Sequence, residues 1–210
     1  MVAFQGAPGS FSDEAVSRIW AGEATAVPMR DFASVTRAVV EGDVHFAVLP
    51  VENSSIGPIT ESCEAIAAAH VVRSVGELTL DVRHCLIGQP GSHLRTLRRV
   101  FSHPAALAQC RRFFASNPWI QQVDAYDTAG AAADVALRAD SSEAAIAPRG
   151  AAKRYELSLL ATDIQDDATN TTRFVVIASD CAGEYSSHWK PAQFFTSSDA
   201  SSADGQTHAR

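Results

Sequence analysis

Short apolar runs alternate along the chain with stretches in which apolar residues recur three and four positions apart, the two rhythms of strand and helix. "VAFQG" and "HFAVLP" read as strands, and so do "RVFSHP", "QVDAYD" and "EAAIAP". Helical patterns follow most of them. "SFSDEAVSRIWAG" opens with Ser10 and Asp13 in the S-x-x-D arrangement of a capping box. "DFASVTRAVVEG" puts Phe32, Val35 and Val39 on one face, between an N-cap at Asp31 and a stop at Gly42. "AALAQCRRFFA", "TAGAAADVALRA" and "RGAAKRYEL" add further helices. The alternation predicts an α/β fold with mostly parallel sheet covered by helices.

Two stretches break the rhythm. "HVVRSVGELTLDVRHCLIG" is long and β-rich with little helix signal, and "RFVVIA" comes after the second block of alternation has ended. A chain that builds one lobe, crosses over, builds a second and returns would have this order. It predicts lobes over 1–76 plus 170–181 and over 80–164, with a ligand cleft between them near strand ends and helix N-termini. The Ser/Asp-rich end, 183–210, reads as a flexible tail.

Composition narrows the classes. A chain of 210 residues that is 46% hydrophobic can bury a sizeable core. Its net charge of -7, with no basic run, argues against a grip on nucleic acid phosphates or anionic lipid. No apolar run reaches the roughly 20 residues of a membrane span, and "MVAFQGAPGS" lacks the basic start of a signal peptide, so a cytoplasmic location is expected. "NSS" at Asn53 and "NTT" at Asn170 are then not read as glycosylation sites. Cys63, Cys85, Cys110 and Cys181 lie far apart and read as reduced thiols. No His/Cys/carboxylate cluster has metal-ligand spacing, and neither a metal nor an organic cofactor is expected.

Polar clusters gather where strands end: "PVENSSIGP", "FSHPAALAQC" and "YDTAGAAA" follow strands, and Asn170, Thr171, Thr172 and Arg173 crowd the entrance of a strand expected over Phe174–Ala178. Each could present hydroxyls, amides or free backbone N–H groups to one cleft, and Arg173 adds a guanidinium. Ser102 and Asp127 read as N-caps. His103, beside a helix-opening proline, reads as a structural or capping residue rather than a general acid, and His84 as a packed strand histidine. "AGAAAD" reads as close helix packing.

Seven stretches, "FQGAPGSFSDEAV", "LPVENSSIGPI", "HCLIG", "SHPAALAQC", "DTAGAAADVA", "AAIAP" and "NTTRFVVIA", resemble in order and spacing the catalytic domain of prephenate dehydratase, over about residues 2–179. The resemblance implies a two-lobed fold like that of type 2 periplasmic binding proteins. It implies conversion of prephenate to phenylpyruvate, water and carbon dioxide in phenylalanine biosynthesis, by a homodimer. The family's Thr-Arg-Phe motif falls on Thr172, Arg173 and Phe174, which makes Thr172 the catalytic hydroxyl and Arg173 the cation for a substrate carboxylate. Asn53, Ser54, Ser102, Thr128, Ala129, Asn170 and Phe174 become substrate-site residues, some through backbone, with Phe174 packing behind the site.

The family's usual C-terminal ACT regulatory domain and its "ESRP" signature are not matched, which puts feedback by phenylalanine in doubt. Three alternatives stand beside the dehydratase. A non-aromatising prephenate decarboxylase is disfavoured by the retained "NTTRF". An arogenate dehydratase is not separable by sequence, because one hydrogen-bonding group could reverse the preference. A small-anion binding module would not need the Thr-Arg-Phe entrance.

Overall fold

The computed structural model describes residues 1–179, so the expected tail 183–210 and Cys181 lie outside the described residues. The first half of the chain lays down β1 (Val2–Gln5), α1 (Phe11–Ile19), β2 (Ala26–Met29), α2 (Phe32–Val40), β3 (Phe46–Asn53), the two-residue β4 (Gly57–Pro58), α3 (Thr60–Ala68) and β5 (Val72–Asp81). After the short crossing 82–84 come β6 (Cys85–Gly88), a 3₁₀ turn at Leu94–Thr96, β7 (Arg99–Ser102), α4 (Pro104–Ala108), α5 (Arg111–Ser116) and β8 (Gln121–Asp124). Then follow α6 (Thr128–Arg138), β9 (Glu143–Ala147), α7 (Arg149–Arg154), β10 (Ser158–Ala161) and the long returning β11 (Thr171–Ser179).

These strands form two sheets. One has the order β2-β1-β3-β11-β5 with β4 added to β3; the other has the order β10-β6-β9-β7-β8. The expectation of mostly parallel sheet needs correction. β1 is parallel to β2 and β3, and β7 to β8 and β9, but β11 runs antiparallel to β3 and β5, β4 to β3, and β6 to β9 and β10. Parallel neighbours need a crossover helix. β6 and β11 are entered from chain with no such helix, and they join their sheets antiparallel.

Local chemistry places the helices as the sequence suggests. The Ser10 hydroxyl accepts from the Asp13 N–H at 3.3 Å while the Asp13 carboxylate reaches back to the Gly9 N–H at 2.8 Å, so α1 starts on a reciprocal cap. Asp31 caps α2 by accepting from Ser34 N–H at 2.7 Å, and Val35 and Val39 bury against the first sheet with Phe32 beside them. α1 covers the other face of that sheet, over Val2, Phe4, Phe174 and Val176. Burying each of those phenylalanines contributes roughly 1.5–3 kcal/mol. In the second sheet Ala129, Ala131 and Ala132 of α6 pack with Ala147 and Ala151, which is the close approach "AGAAAD" suggested.

The loop between β1 and α1 docks the first lobe on the second. The Ala7 N–H donates to the Asp127 carboxylate at 3.2 Å, and the Tyr155 hydroxyl donates to the Pro8 carbonyl at 2.7 Å. Gly9 sits at φ +88, and a Cβ there would lie 2.9 Å from the Ala151 Cα. Only glycine fits both the backbone angle and the gap.

Candidate active site

β11 begins three residues earlier than the sequence suggested, because Thr171, Thr172 and Arg173 continue its ladder against Asp81, Leu80 and Thr79 of β5. Threonine suits a strand, and side chains along a strand alternate in direction. Thr172 and Phe174 therefore face a cleft of about 510 Å³ while Arg173 does not. Arg173 pairs instead with Glu52 at 3.2 Å and Glu77 at 3.6 Å, with its side chain 41% exposed.

The first lobe contributes Ser10, Phe11, Asn53, Ile56, Thr172 and Phe174 to the cleft; the second contributes His84, His103, Gln109, Tyr126 and Thr128. No lysine or arginine lines it among the described residues; its carboxylates are Glu61 and Asp127. The positive ends of two helix dipoles face it instead. The first turns of α1 and α6, nine and eleven residues long, both border the cleft.

Asn53 organises the polar end. Its Nδ2 donates to Asn170 Oδ1 at 2.8 Å, the Thr171 carbonyl at 3.0 Å and Thr172 Oγ1 at 2.9 Å. Its Oδ1 accepts from the N–H groups of Ser55 and Ile56, which sets the turn carrying Ile56. Because Thr172 Oγ1 accepts from an amide that can only donate there, the threonine's own hydrogen must go elsewhere. No described protein group receives it. The residue is 8% exposed and lines the cleft, which is the outlet for its hydroxyl.

The remaining expected residues divide. Thr128 and Phe174 line the cleft, Phe174 as part of its packed floor. Ser54 and Asn170 stand behind it: Ser54 Oγ donates to Asn170 Oδ1 at 3.3 Å and accepts from Thr171 N–H at 2.9 Å. Ala129 is wholly buried in the core beneath α6 and can offer only backbone. Ser102 is also fully buried, its hydroxyl spent on the Ile146 carbonyl at 2.6 Å. The cap of α4 is His103, whose Nδ1 accepts from Ala105 N–H at 3.2 Å; Ser102 belongs to the end of β7 instead. Asp127 caps α6 through the Gly130 N–H, as expected.

Sequence reasoning missed Phe11, Gln109 and Tyr126, and misplaced His84. Gln109 was within reach, since it lies in "SHPAALAQC" on the polar end of a short helix. Tyr126 lies against α6 so closely that a Cβ on Gly130 would meet its hydroxyl oxygen at 2.0 Å. Burial, Asp127 and Asp134 push that phenol above its ordinary value. His84 is no strand residue but the last of the crossing between β5 and β6. Its Nε2 meets Gln109 Oε1 at 2.8 Å, and its ring stands edge-on to Phe11. Burial pushes the imidazole below its ordinary value, Gln109 opposing.

The prephenate dehydratase family profile matches residues 2–182. The chain belongs to that family. It is 42% identical over 178 residues to arogenate dehydratase/prephenate dehydratase 2 of Arabidopsis thaliana, covering 84% of this chain and 46% of that one. It is 40% identical to arogenate dehydratase 2 of Petunia hybrida, covering 84% and 44%. The chain thus spans less than half the length of these curated relatives. Among solved structures, the prephenate dehydratase of Arthrobacter aurescens in complex with L-Phe superposes with a TM-score of 0.79 at 30% identity, over 85% of this chain and 60% of that one. A quorum-quenching acylase, GqqA, gives 0.77 at 35% identity, over 85% and 63%. The two-sheet fold is therefore that of the dehydratase family. Among the described residues no helix is long and apolar enough to cross a membrane.

Proposed function

We propose that the protein is a prephenate dehydratase in which the Thr172 hydroxyl assists the leaving group. The observation that carries this is the Asn53–Thr172 hydrogen bond, which leaves the threonine hydrogen available to the cleft. In the reaction the ring carboxylate leaves as carbon dioxide, its bonding pair moves into the ring, and the ring hydroxyl departs with a proton as water. Aromatisation drives the process, so the protein needs mainly to hold the dianion and hydrogen-bond the departing oxygen. A threonine hydroxyl in that role supplies up to the roughly 10² to 10⁴-fold of general acid catalysis. The amides of α1 and α6 take the carboxylates, and Arg173 takes no direct part.

Arogenate is the second reading. It carries an ammonium where prephenate carries a keto oxygen, and Glu61 and Asp127 give the cleft two carboxylates and no fixed cation. Two relatives are named arogenate dehydratases or bifunctional enzymes. An acylase activity of the kind named for GqqA finds less support, since His84 and His103 bond Gln109 and the Ala105 N–H rather than a serine or threonine hydroxyl. We also propose a cytoplasmic location, although the Arabidopsis relative is chloroplastic.

The test is phenylpyruvate production from prephenate near pH 8, read by absorbance in strong base, with arogenate and Thr172→Ala in parallel. Phenylpyruvate formed by wild type and lost in a folded Thr172→Ala supports the reading. Phenylalanine formed from arogenate at a higher kcat/KM moves the substrate to arogenate. Prephenate consumed without an aromatic product, or left untouched with arogenate, overturns the dehydratase.

A further inference from the structure

A dianion entering this cleft meets no lysine or arginine among the described residues. Two helix N-termini offer only about half a charge each. One side chain can change that balance. His84 is 2% exposed and lines the cleft, and its Nδ1 is buried without a hydrogen-bond partner. An orphaned ring nitrogen at a buried site is costly unless something completes it.

Gln109 decides what the ring can be. Its Oε1 is an acceptor and requires a hydrogen on His84 Nε2 at 2.8 Å. In the neutral ring that leaves Nδ1 bare; in the imidazolium both nitrogens donate. The carbonyl oxygen of Gln109 fits both forms, so gaining a proton on Nδ1 disturbs nothing on that side. Phe11 of α1 presents only the edge of its ring. The segment 162–167 touches His84 through the Gln165 side chain and the Ile164 N–H, both on its backbone. Arg83 next to it is occupied with Asp81 and Asp163, and Asp166 with Arg111. Cys85 on its other side is a buried thiol that burial pushes up. Glu61, Asp127, Tyr126 and His103 also line the cleft.

Resting on the dehydratase reading above, we propose that His84 takes up a proton on Nδ1 as the dianion binds, and that the imidazolium then donates to a substrate carboxylate. The cleft would thus recognise the dianion together with one proton, and Gln109 is the positioning residue that holds the ring ready. Empty, the buried imidazole is neutral at physiological pH. Filled, the two substrate charges favour its protonated form. Between the lowered value of the free protein and the raised value of the complex, binding consumes protons and weakens as pH rises. His103 is a poor alternative, since its Nδ1 is the cap acceptor for α4 and protonation would break that bond.

The test uses the full chain carrying Thr172→Ala, in which turnover is slowed by about 10² to 10⁴-fold, titrated calorimetrically in two buffers of different ionisation enthalpy. The expected result is uptake of close to one proton per ligand, and a Kd that rises about tenfold per pH unit above neutrality until the complex itself deprotonates. Adding His84→Asn keeps an uncharged N–H donor near the Nδ1 position. It should bind with a Kd independent of pH and without proton uptake, its fold checked by thermal unfolding. A pH-independent Kd in Thr172→Ala alone, or proton uptake unchanged by His84→Asn, overturns the proposal. Absence of any prephenate binding by Thr172→Ala, with arogenate bound instead, overturns the substrate reading on which it rests.

Discussion

Asn53→Asp changes the chemistry of one atom and almost none of the shape. In the native protein Nδ2 of Asn53 supplies hydrogens to three acceptors, among them Thr172 Oγ1, and the residue is 5% exposed. An ionised aspartate oxygen in that place supplies none. Thr172 can answer by rotating its hydroxyl to donate to the new carboxylate, which withdraws the hydrogen from the cleft while the threonine stays in place. Activity should then fall as far as in Thr172→Ala, on the order of 10² to 10⁴-fold in kcat, with KM little changed.

The stability cost follows from the same bonds. One of the three acceptors becomes a donor, and the other two lose their partner at about 1 kcal/mol each. A buried carboxyl without a cation also holds its proton above the unfolded value of about 3.9, which costs about 1.4 kcal/mol per pH unit. The sign is that of a raised folded pKa: stability is retained at low pH and lost as pH rises. The unfolding free energy of Asn53→Asp from urea titration should drop between about pH 5 and pH 7, by as much as about 2.7 kcal/mol where the folded form stays protonated, with no such drop in wild type. A folded Asn53→Asp that keeps wild-type kcat would refute the idea that Asn53 directs the Thr172 hydrogen.

Arg173→Ala should cost only about 0.2–1 kcal/mol, as expected of exposed pairs like those it makes with Glu52 and Glu77, and should leave kcat and KM within about twofold. Steady-state kinetics check this, and a fall of about 10² or more, the scale of a lost transition-state donor, would return the guanidinium to the chemistry. Gly9→Ala should destabilise by about 1–3 kcal/mol through the positive φ, with more from the 2.9 Å approach to Ala151. A thermal melt reads it, and an unchanged Tm would mean that the β1–α1 loop is docked loosely enough to absorb the methyl.

The helices were legible because their signals are local. The Ser10–Asp13 box, the Asp31 and Asp127 caps and the small-residue face of α6 each depend on residues within a turn or two of one another. Strand direction is not local. Whether β11 runs parallel or antiparallel to β3 depends on where the chain comes back from, and nothing in "RFVVIA" records that. His84 was misplaced for a related reason. "DVRHCLIG" looks like one strand, but the chain leaves the first sheet at Asp81 and joins the second at Cys85, and the residues between become part of the cleft wall.

The fate of Arg173 turns on a boundary three residues wide. With the strand starting at Phe174, the four polar residues before it form a loop in which any side chain can point at a ligand. An arginine then looks like the natural partner for a carboxylate. With the strand starting at Thr171, the same letters obey a period of two: Thr172 must share a face with Phe174, whose place in the core is never in doubt, and Arg173 must take the other. β-branched Thr171 and Thr172 are themselves the sign that the strand reaches back that far. Once Arg173 is assigned to the outer face, the cleft has no fixed cation, and the burden of holding a dianion passes to helix amides and to whatever buried group can acquire a charge. In this cleft the group placed to do so is the orphaned nitrogen of His84.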